Sequence, residues 1–343
     1  MPNPLLTRAI DRLASRQDLS ADEAGAVLDE IMSGGASETE IAGFLIALRT
    51  KGETVEEITG LARTMRTRAE SVSARRADLL DTAGTGGGRP TFNVSTTAAL
   101  IAAGAGCAVA KHGNRSATSL SGSADLLEAL GARIDLHAEQ VGRCIDEAGF
   151  GFMFAPIHHQ ATRYVVPVRK ELGVRTIFNF LGPLTNPARA PRQIVGVADA
   201  SFLDTIAGAL ALLGTERALV VCGEDGVDEL STCALTQVVE VQDGRIERYE
   251  LDATELGLNR TDPAEVAGGT PEHNAAITRA ILAGEEGAAR ELAVLNAGAA
   301  IYAAGQAESL AQGVERARET IDSGAAERAL ERYVELSREL AGA

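Results

Sequence analysis

The chain has 343 residues, 45% of them hydrophobic, with 3% aromatics and no Trp, so its core rests on Ala, Val, Leu and Ile. One hydrophobic core rarely grows this large, which implies a large domain joined to a small one. The 32 Lys and Arg against 48 Asp and Glu give a net charge of −16 without a dense basic cluster, which speaks against a nucleic-acid-binding surface.

Residues 1 to about 72 read as helices. Leu5, Ile10 and Leu13 recur at helical spacing, as do Ala24, Val27, Leu28 and Ile31. Ser20 with Glu23, Ser37 with Glu40 and Thr54 with Glu57 form three capping-box patterns, and Gly34-Gly35 and Gly52 mark the stops. After Arg76 the pattern becomes strand–helix alternation. A strand at Leu79-Leu80 leads into a glycine loop, then a helix over Thr96–Ala103, a strand over Cys107–Ala110, a helix over Ser123–Leu130 and a strand over Ala132–Leu136. The segment His158–Asn186 has poor periodicity and reads as a crossover that returns to the helical domain over about 160–185. The alternation resumes with a strand over Gln193–Ala198, a helix over Ser201–Leu213 and a strand over Ala218–Cys222. Further strands follow at Val238–Val241 and Arg248–Leu251, then mostly helix from Asn274. The fold class is therefore α/β, with parallel βαβ units. Residues 1–72 form a helical domain and 73–343 a larger α/β domain.

Four segments carry chemistry. The first runs from Asp81 to Thr97: Asp81-Thr82-Ala83 lead into the loop Gly84-Thr85-Gly86-Gly87-Gly88, followed by Thr91, Asn93, Val94, Ser95, Thr96 and Thr97. Backbone N–H groups at a helix start, approached through glycines, make an anion site. Neither the dinucleotide pattern, which fails at Arg89, nor a Gly-Lys-Ser/Thr phosphate loop is present. Glycines alone mark turns more often than phosphates, and it is the added hydroxyls and amide that favour a ligand. The second segment, Lys111-His112-Gly113-Asn114-Arg115-Ser116-Ala117-Thr118-Ser119, follows a buried strand, where open α/β sheets bind ligands.

The third segment carries Asp228 and Glu229 after the strand ending at Cys222. Such carboxylates suit Mg2+, which takes one or two of them with waters and phosphate oxygens; an acidic solvated loop explains them equally well. In extended backbone the two would point oppositely and serve two ions, or reach one ion through a turn. The fourth holds Arg169, Lys170 and Arg175, where an arginine suits a carboxylate, although an exposed helix face fits the same residues. Four cysteines without a C-x-x-C pair, no signal peptide and no apolar run near ~20 residues lead to the expectation of reduced thiols in a cytoplasmic protein.

These segments, in this order, resemble the anthranilate phosphoribosyltransferase family. The resemblance also covers Ser121-Gly122-Ser123-Ala124-Asp125, Arg175 to Pro187, Asp225 to Leu230 and Leu295-Asn296-Ala297, and so spans nearly the whole chain. It implies a small helical domain hinged to a larger α/β domain with a mixed, mainly parallel sheet, usually as a homodimer. It also implies that anthranilate is joined to phosphoribosyl pyrophosphate with release of pyrophosphate, the second step of tryptophan biosynthesis. By the family's motifs, phosphoribosyl pyrophosphate would be held by Gly84, Gly87, Gly88, Thr91, Asn93, Val94, Ser95, Thr96, Lys111 to Ser119 and Ser123. Ser95, Asp228 and Glu229 would bind Mg2+. Gly84, Asn114 and Arg169 would contact anthranilate, with His112 and His159 at its entry. No general base is needed, and Lys111 and Arg169 would act by charge and position.

Three positions depart from the family's pattern. Its loop reads G-T-G-G-D with one more residue before T-F-N, whereas this chain has Gly88 and a shorter loop. Cys222 stands where His is usual, and His159-Gln160 replaces a His-Pro pair. Two other functions share parts of this pattern: a pyrimidine-nucleoside phosphorylase, disfavoured by the acidic pair and Arg169, and a non-catalytic nucleic-acid-binding paralogue, disfavoured by the net charge.

Overall fold

A computed structural model describes residues 1–116 and 119–342. The first four helices, α1 (Pro4–Ala14), α2 (Ala21–Met32), α3 (Glu38–Lys51) and α4 (Val55–Arg68), form a bundle. All three capping boxes are closed in both directions. In the third, Thr54 caps the Glu57 backbone N–H at 3.2 Å while Glu57 accepts the Thr54 N–H at 2.9 Å. Each such cap stabilises its helix by about 1 kcal/mol. Glu57 is fully buried because it also accepts from the Leu19 N–H and pairs with Lys51 at 2.9 Å, so this cap also ties α2 to α4.

Next come β1 (Leu79–Asp81), α5 (Val94–Gly104), β2 (Ala108–Gly113), α6 (Ser123–Ala129), α7 (Ala138–Ala148) and β3 (Phe150–Phe154). Three short helices follow, α8 (Ala155–His158), α9 (Val166–Leu172) and α10 (Phe178–Leu184). The chain then forms β4 (Arg192–Gly196), α11 (Leu203–Leu212), β5 (Arg217–Gly223), β6 (Thr236–Gln242) and β7 (Arg245–Leu251). It ends in α12 (Pro271–Leu282), α13 (Ala288–Ala303), α14 (Leu310–Asp322) and α15 (Ala325–Ala341).

The strands make one seven-stranded sheet in the order β3-β2-β1-β4-β5-β6-β7. β1 to β5 pair in parallel, and β6 and β7 add an antiparallel edge. One face packs on α5, α7 and α12 to α15. The other face, with Val195, Val220 and Val239, shares an apolar cluster with α11, the helical bundle, and α9 and α10. The stretch from α8 to α10 thus packs back onto the bundle, α9 against α3 and α10 against α4.

Two elements differ from the sequence expectation. Residues Ala132–Leu136 form no strand, although buried Ala132, Ile134 and Leu136 alternate with exposed Arg133 and Asp135. This extended segment packs on α15 instead: the Arg133 N–H donates to Ser337 Oγ at 3.0 Å, and Gln140 donates to Leu340 O. Strand-like alternation arises wherever an extended chain lies on an apolar surface, whether or not a second strand pairs with it. Conversely, β3 has no counterpart in the expectation. Its run Phe-Gly-Phe-Met-Phe shows no alternation, because a parallel strand beside β2 is covered on both faces.

Candidate active site

The carboxyl ends of β1, β2, β4 and β5 open onto one region, and four loops meet there. The glycine loop leaves β1 and returns into α5. It is held down by Thr85 N–H donating to Gly196 O at 2.8 Å, Gly86 N–H to Asp228 Oδ2 at 2.9 Å and Arg89 N–H to Gly226 O at 2.7 Å. Gly86 and Gly87 adopt φ of 68° and 85°, which only glycine reaches readily. Arg175 crosses the loop, with Nη2 on Gly86 O at 3.3 Å.

The acidic loop after β5 is a turn, so Asp228 and Glu229 are not splayed as extended neighbours would be. Both line one cavity of about 20 Å³, together with Thr82, Gly84, Ser95 and Asn296. Thr91 donates its hydroxyl to Glu229 Oε2 at 3.0 Å. Asn296 on α13 fixes the next residue from both sides, donating to Leu230 O at 2.9 Å and accepting its N–H at 3.1 Å. Burial raises both acids; the Asp228 charge raises Glu229 further, while Thr91, Lys111 and the Ser95 N–H oppose that rise.

Lys111, at the end of β2, is buried and points its ammonium at Thr82 O (3.0 Å), Thr82 Oγ1 (3.1 Å) and Ser95 Oγ (3.4 Å). Burial lowers its pKa to about 8, against the pull of Asp81 and Glu229. Asp81 is the fixed point beneath it. Its Oδ1 accepts the His112 N–H at 3.1 Å and its Oδ2 accepts Asn186 Nδ2 at 2.7 Å, so one carboxylate joins β1, β2 and the chain entering β4. Burial raises its pKa to about 6.

On the other side of Lys111, His112 and His159 place their rings 5.0 Å apart. Nδ1 of His112 faces Gly182 O at 3.0 Å, which makes it the N–H donor and leaves Nε2 as a neutral acceptor without a partner among the described residues. Burial, followed by the neighbouring histidine, holds His112 at about 3; burial holds His159 at about 4. Arg169 on α9 is half-buried, its guanidinium 5.5 Å from the Phe178 ring, and it forms no ion pair among the described residues.

Other anticipated residues have structural partners. Asn93 starts α5 with φ 40°, donates Nδ2 to Ser121 O at 2.9 Å, and accepts from Ser121 and Asn274 at 2.8 Å each. Val94 and Thr96 are fully buried, and Thr96 Oγ1 has no hydrogen-bond partner among the described residues. Arg115 is paired with Asp125 at 2.7 Å and Glu128 at 2.5 Å. The Ser116 N–H donates to Asp125 Oδ2 at 3.2 Å, and its Oγ meets Ser119 Oγ at 2.6 Å. Gly113 packs against Phe152 and Ser123, where a Cβ would approach to 2.8 Å. Asn114 O accepts the Ala124 N–H at 3.3 Å. Ala117 and Thr118 lie outside the described residues.

Asp81, Asn186 and Asn296 fall in segments that the sequence singles out, but were assigned no site role there. Asp81 had a signal in its place, an acid ending a buried strand directly before the glycine loop. Asn186 and Asn296 lie in the motifs Arg175–Pro187 and Leu295–Ala297, but their contacts were not readable, because their partners are 105 and 66 residues away.

The donor set is all oxygen: two carboxylates and the Ser95 hydroxyl around a cavity large enough for about one water. Among the described residues, no three His, Cys, Asp or Glu side chains converge as a metal cage. That suits Mg2+, which keeps waters and binds phosphate oxygens alongside one or two carboxylates.

Residues 7–69 match the helical bundle domain of a glycosyl transferase family, and residues 76–327 match its a/b domain. Anthranilate phosphoribosyltransferase of Rubrobacter xylanophilus is 54% identical over 340 residues, covering 98% of this chain and 99% of the relative. That of Symbiobacterium thermophilum is 52% identical over 330 residues, covering 96% and 97%. The crystal structure of the Thermus thermophilus anthranilate phosphoribosyltransferase superposes with a TM-score of 0.91 at 48% identity, covering 96% of this chain and 99% of that one. The Saccharomyces cerevisiae anthranilate phosphoribosyltransferase in complex with PRPP and Mg gives 0.89 at 29% identity, with 98% of each chain covered.

Proposed function

This chain belongs to the anthranilate phosphoribosyltransferase family, and from that premise we propose how its residues divide the work. The reaction moves the phosphoribosyl group of phosphoribosyl pyrophosphate to the amine of anthranilate, with Mg2+ as cofactor, in tryptophan biosynthesis. Ser95, Asp228 and Glu229 hold the Mg2+. Bound there, it neutralises the pyrophosphate leaving group. The glycine loop, Thr91 and the segment from Lys111 to Ser119 hold the phosphoribosyl pyrophosphate. Arg169 takes the anthranilate carboxylate, and His112 and His159 wall its entry.

The observation that carries this reading is the meeting of Asp228 and Glu229 with Ser95 and the glycine loop around a single cavity, beside the buried ammonium of Lys111. An arylamine is neutral at pH 7, so its nitrogen attacks without help from a base. The neutral histidines fit that requirement, as neither draws the amine's lone pair onto a proton. Positive charge develops at the ribosyl carbon as the pyrophosphate leaves. The protein's part is to align nucleophile and leaving group, to stabilise charge, and to keep out the water that would hydrolyse the activated sugar.

Nothing in the geometry favours a nucleoside phosphorylase or a nucleic-acid-binding paralogue. As the family resemblance implies, we infer a cytoplasmic homodimer as the active form. Anthranilate fluorescence tests the assignment. Adding phosphoribosyl pyrophosphate and Mg2+ removes it at a rate proportional to enzyme, and EDTA stops the loss. Well-folded protein that leaves the fluorescence unchanged contradicts the assignment. A Mg2+ titration unaltered in Asp228→Asn contradicts the ligand role.

A further inference from the structure

Behind β4, far from the glycine loop, lies a cleft of about 420 Å³ between α4, the end of α11 and the segment Arg189–Pro191. Three guanidiniums line it, Arg63 and Arg66 one turn apart on α4, and Arg189 from the segment before β4, and among the described residues no Asp or Glu does. In a chain with net charge −16, three cations gathered without a carboxylate run against the composition.

Their present contacts account for little of their hydrogen-bonding capacity. Arg63 Nη2 donates to Leu212 O at 3.3 Å and Arg66 Nε to Leu184 O at 2.7 Å, the last carbonyls of α11 and α10. Helix-end capping explains one N–H of each, and a guanidinium has five. None of the three forms an ion pair among the described residues. Nearby acids are engaged or lie outside the cleft: Glu216 pairs with Arg192 at 3.4 Å, Asp29 pairs with Arg68 at 2.7 Å, and Asp22 lines an adjoining groove that Arg63 also borders, without pairing with it. Arg66 feels this arrangement; burial and then the Arg189 charge lower its pKa to about 10. Arg189 itself sits at φ 51°, a backbone conformation disfavoured for any residue with a Cβ. Like charges held together, one of them partly desolvated, are unfavourable unless an anion completes the group.

We propose that this cleft binds a phosphate group, either inorganic phosphate or the phosphate of a small monoester. Three planar forks suit the oxygens of a multiply charged tetrahedral anion, which can take two N–H groups from each arginine. The hydroxyl-bearing Thr215 and the apolar Pro191 and Leu213 in the same wall leave room for an organic body. The site is separate from the substrate region. β4 begins at Arg192, next to Pro191 of the cleft, and ends at Gly196, which accepts the Thr85 N–H, so the two lie at opposite ends of one strand, about 13 Å apart. An anion held by Arg63, Arg66 and Arg189 joins the helical bundle to the chain entering the α/β sheet and stiffens that junction.

Isothermal titration of the full-length protein with inorganic phosphate, at constant ionic strength kept with chloride, tests this. The wild type binds one more phosphate per chain than Arg63→Gln/Arg189→Gln, and its thermal midpoint rises with phosphate while that of the variant does not. Both substituted side chains are exposed, and Arg66 keeps its α10 cap, so the variant folds; Arg189→Gln alone, with affinity reduced on the order of tenfold, is the second check. Equal stoichiometry and affinity in wild type and variants overturns the proposal, as does an equal thermal response to chloride. Phenyl phosphate then separates the sources: binding about tenfold tighter than phosphate identifies a monoester, and equal binding identifies the free ion.

Discussion

Gly88 lies flat against Asp228, so that a Cβ at position 88 would stand 2.6 Å from Asp228 Oδ1 and 2.7 Å from its backbone nitrogen. The chain runs directly over the acidic loop here, and only glycine passes. Gly88→Ala forces the loop off Asp228. The expected outcome is a KM for phosphoribosyl pyrophosphate raised about tenfold, in line with the 1–3 kcal/mol typical of overpacking. Gly86→Ala is the control: φ of 68° strains any side chain, but nothing lies within 4 Å of its Cβ, so its effect is the smaller. Initial rates at saturating Mg2+ distinguish the two; equal effects of both variants would show that loop strain, not contact with Asp228, governs binding.

Arg89 extends the same contact. Its guanidinium donates to Asp225 Oδ2 at 2.6 Å and to Pro263 O at 3.2 Å, and its own N–H to Gly226 O at 2.7 Å. Asp225 and Gly226 lead directly into Asp228, so Arg89 aims the proposed Mg2+ ligands without touching them. Partners one step removed from a metal commonly change its affinity 10- to 100-fold. Arg89→Ala is expected to raise the Mg2+ concentration needed for half-maximal phosphoribosyl pyrophosphate binding about tenfold, with kcat at saturating Mg2+ little changed. Asp225→Asn should do the same, and the double variant should be no worse than either single. Calorimetric titration at several Mg2+ concentrations reads this directly; additive losses would dissolve the pair.

The helical bundle was legible because its signals are local. Three capping boxes, glycine stops and apolar spacing all act within a turn or two, and each closes as its residues dictate. The glycine loop, Lys111 and the acidic pair were legible for a related reason, since each directly follows a buried strand. What joins them was not. Asp81 binds Asn186 across 105 residues, and Thr91 binds Glu229 across 138. Burial and pairing of this kind depend on sheet order, with β4 inserted beside β1, which no local pattern encodes. Arg115 was equally hard to read in full: the sequence offers a cation two residues after Gly113, and only the fold shows that α6 supplies Asp125 and Glu128 to pair with it.

The histidines carry a pH signature in stability. His112 falls from the usual 6.5 to about 3 and His159 to about 4, both through burial first. The unfolded chain therefore binds protons that the folded one refuses. Stability from these groups is complete above pH 6.5 and is lost as pH falls toward their folded values. At pH 5 each contributes a loss of about 2 kcal/mol. Urea unfolding midpoints are expected to drop steeply between pH 7 and 5, and less steeply in His159→Gln. A slope unchanged in that variant would place the acid sensitivity elsewhere. NMR of the folded protein should show His112 still neutral at pH 5.

Arg169 offers the sharpest separation of the two substrates. It is half-buried, stacks on Phe178 at 5.5 Å and forms no ion pair among the described residues, whereas Arg115 is already neutralised by two carboxylates. Burial lowers its pKa, a penalty that a substrate carboxylate would remove. A hydrogen-bonded charge pair of this kind is worth about 1.5–3 kcal/mol. Arg169→Ala is thus expected to raise the anthranilate KM roughly 10- to 100-fold while leaving the phosphoribosyl pyrophosphate KM within about twofold. Arg169→Lys should recover only part of the loss, because an ammonium keeps the charge but not the planar fork. Steady-state kinetics with each substrate varied in turn decides the matter: a rise confined to the phosphoribosyl pyrophosphate KM would move Arg169 to the other half of the site.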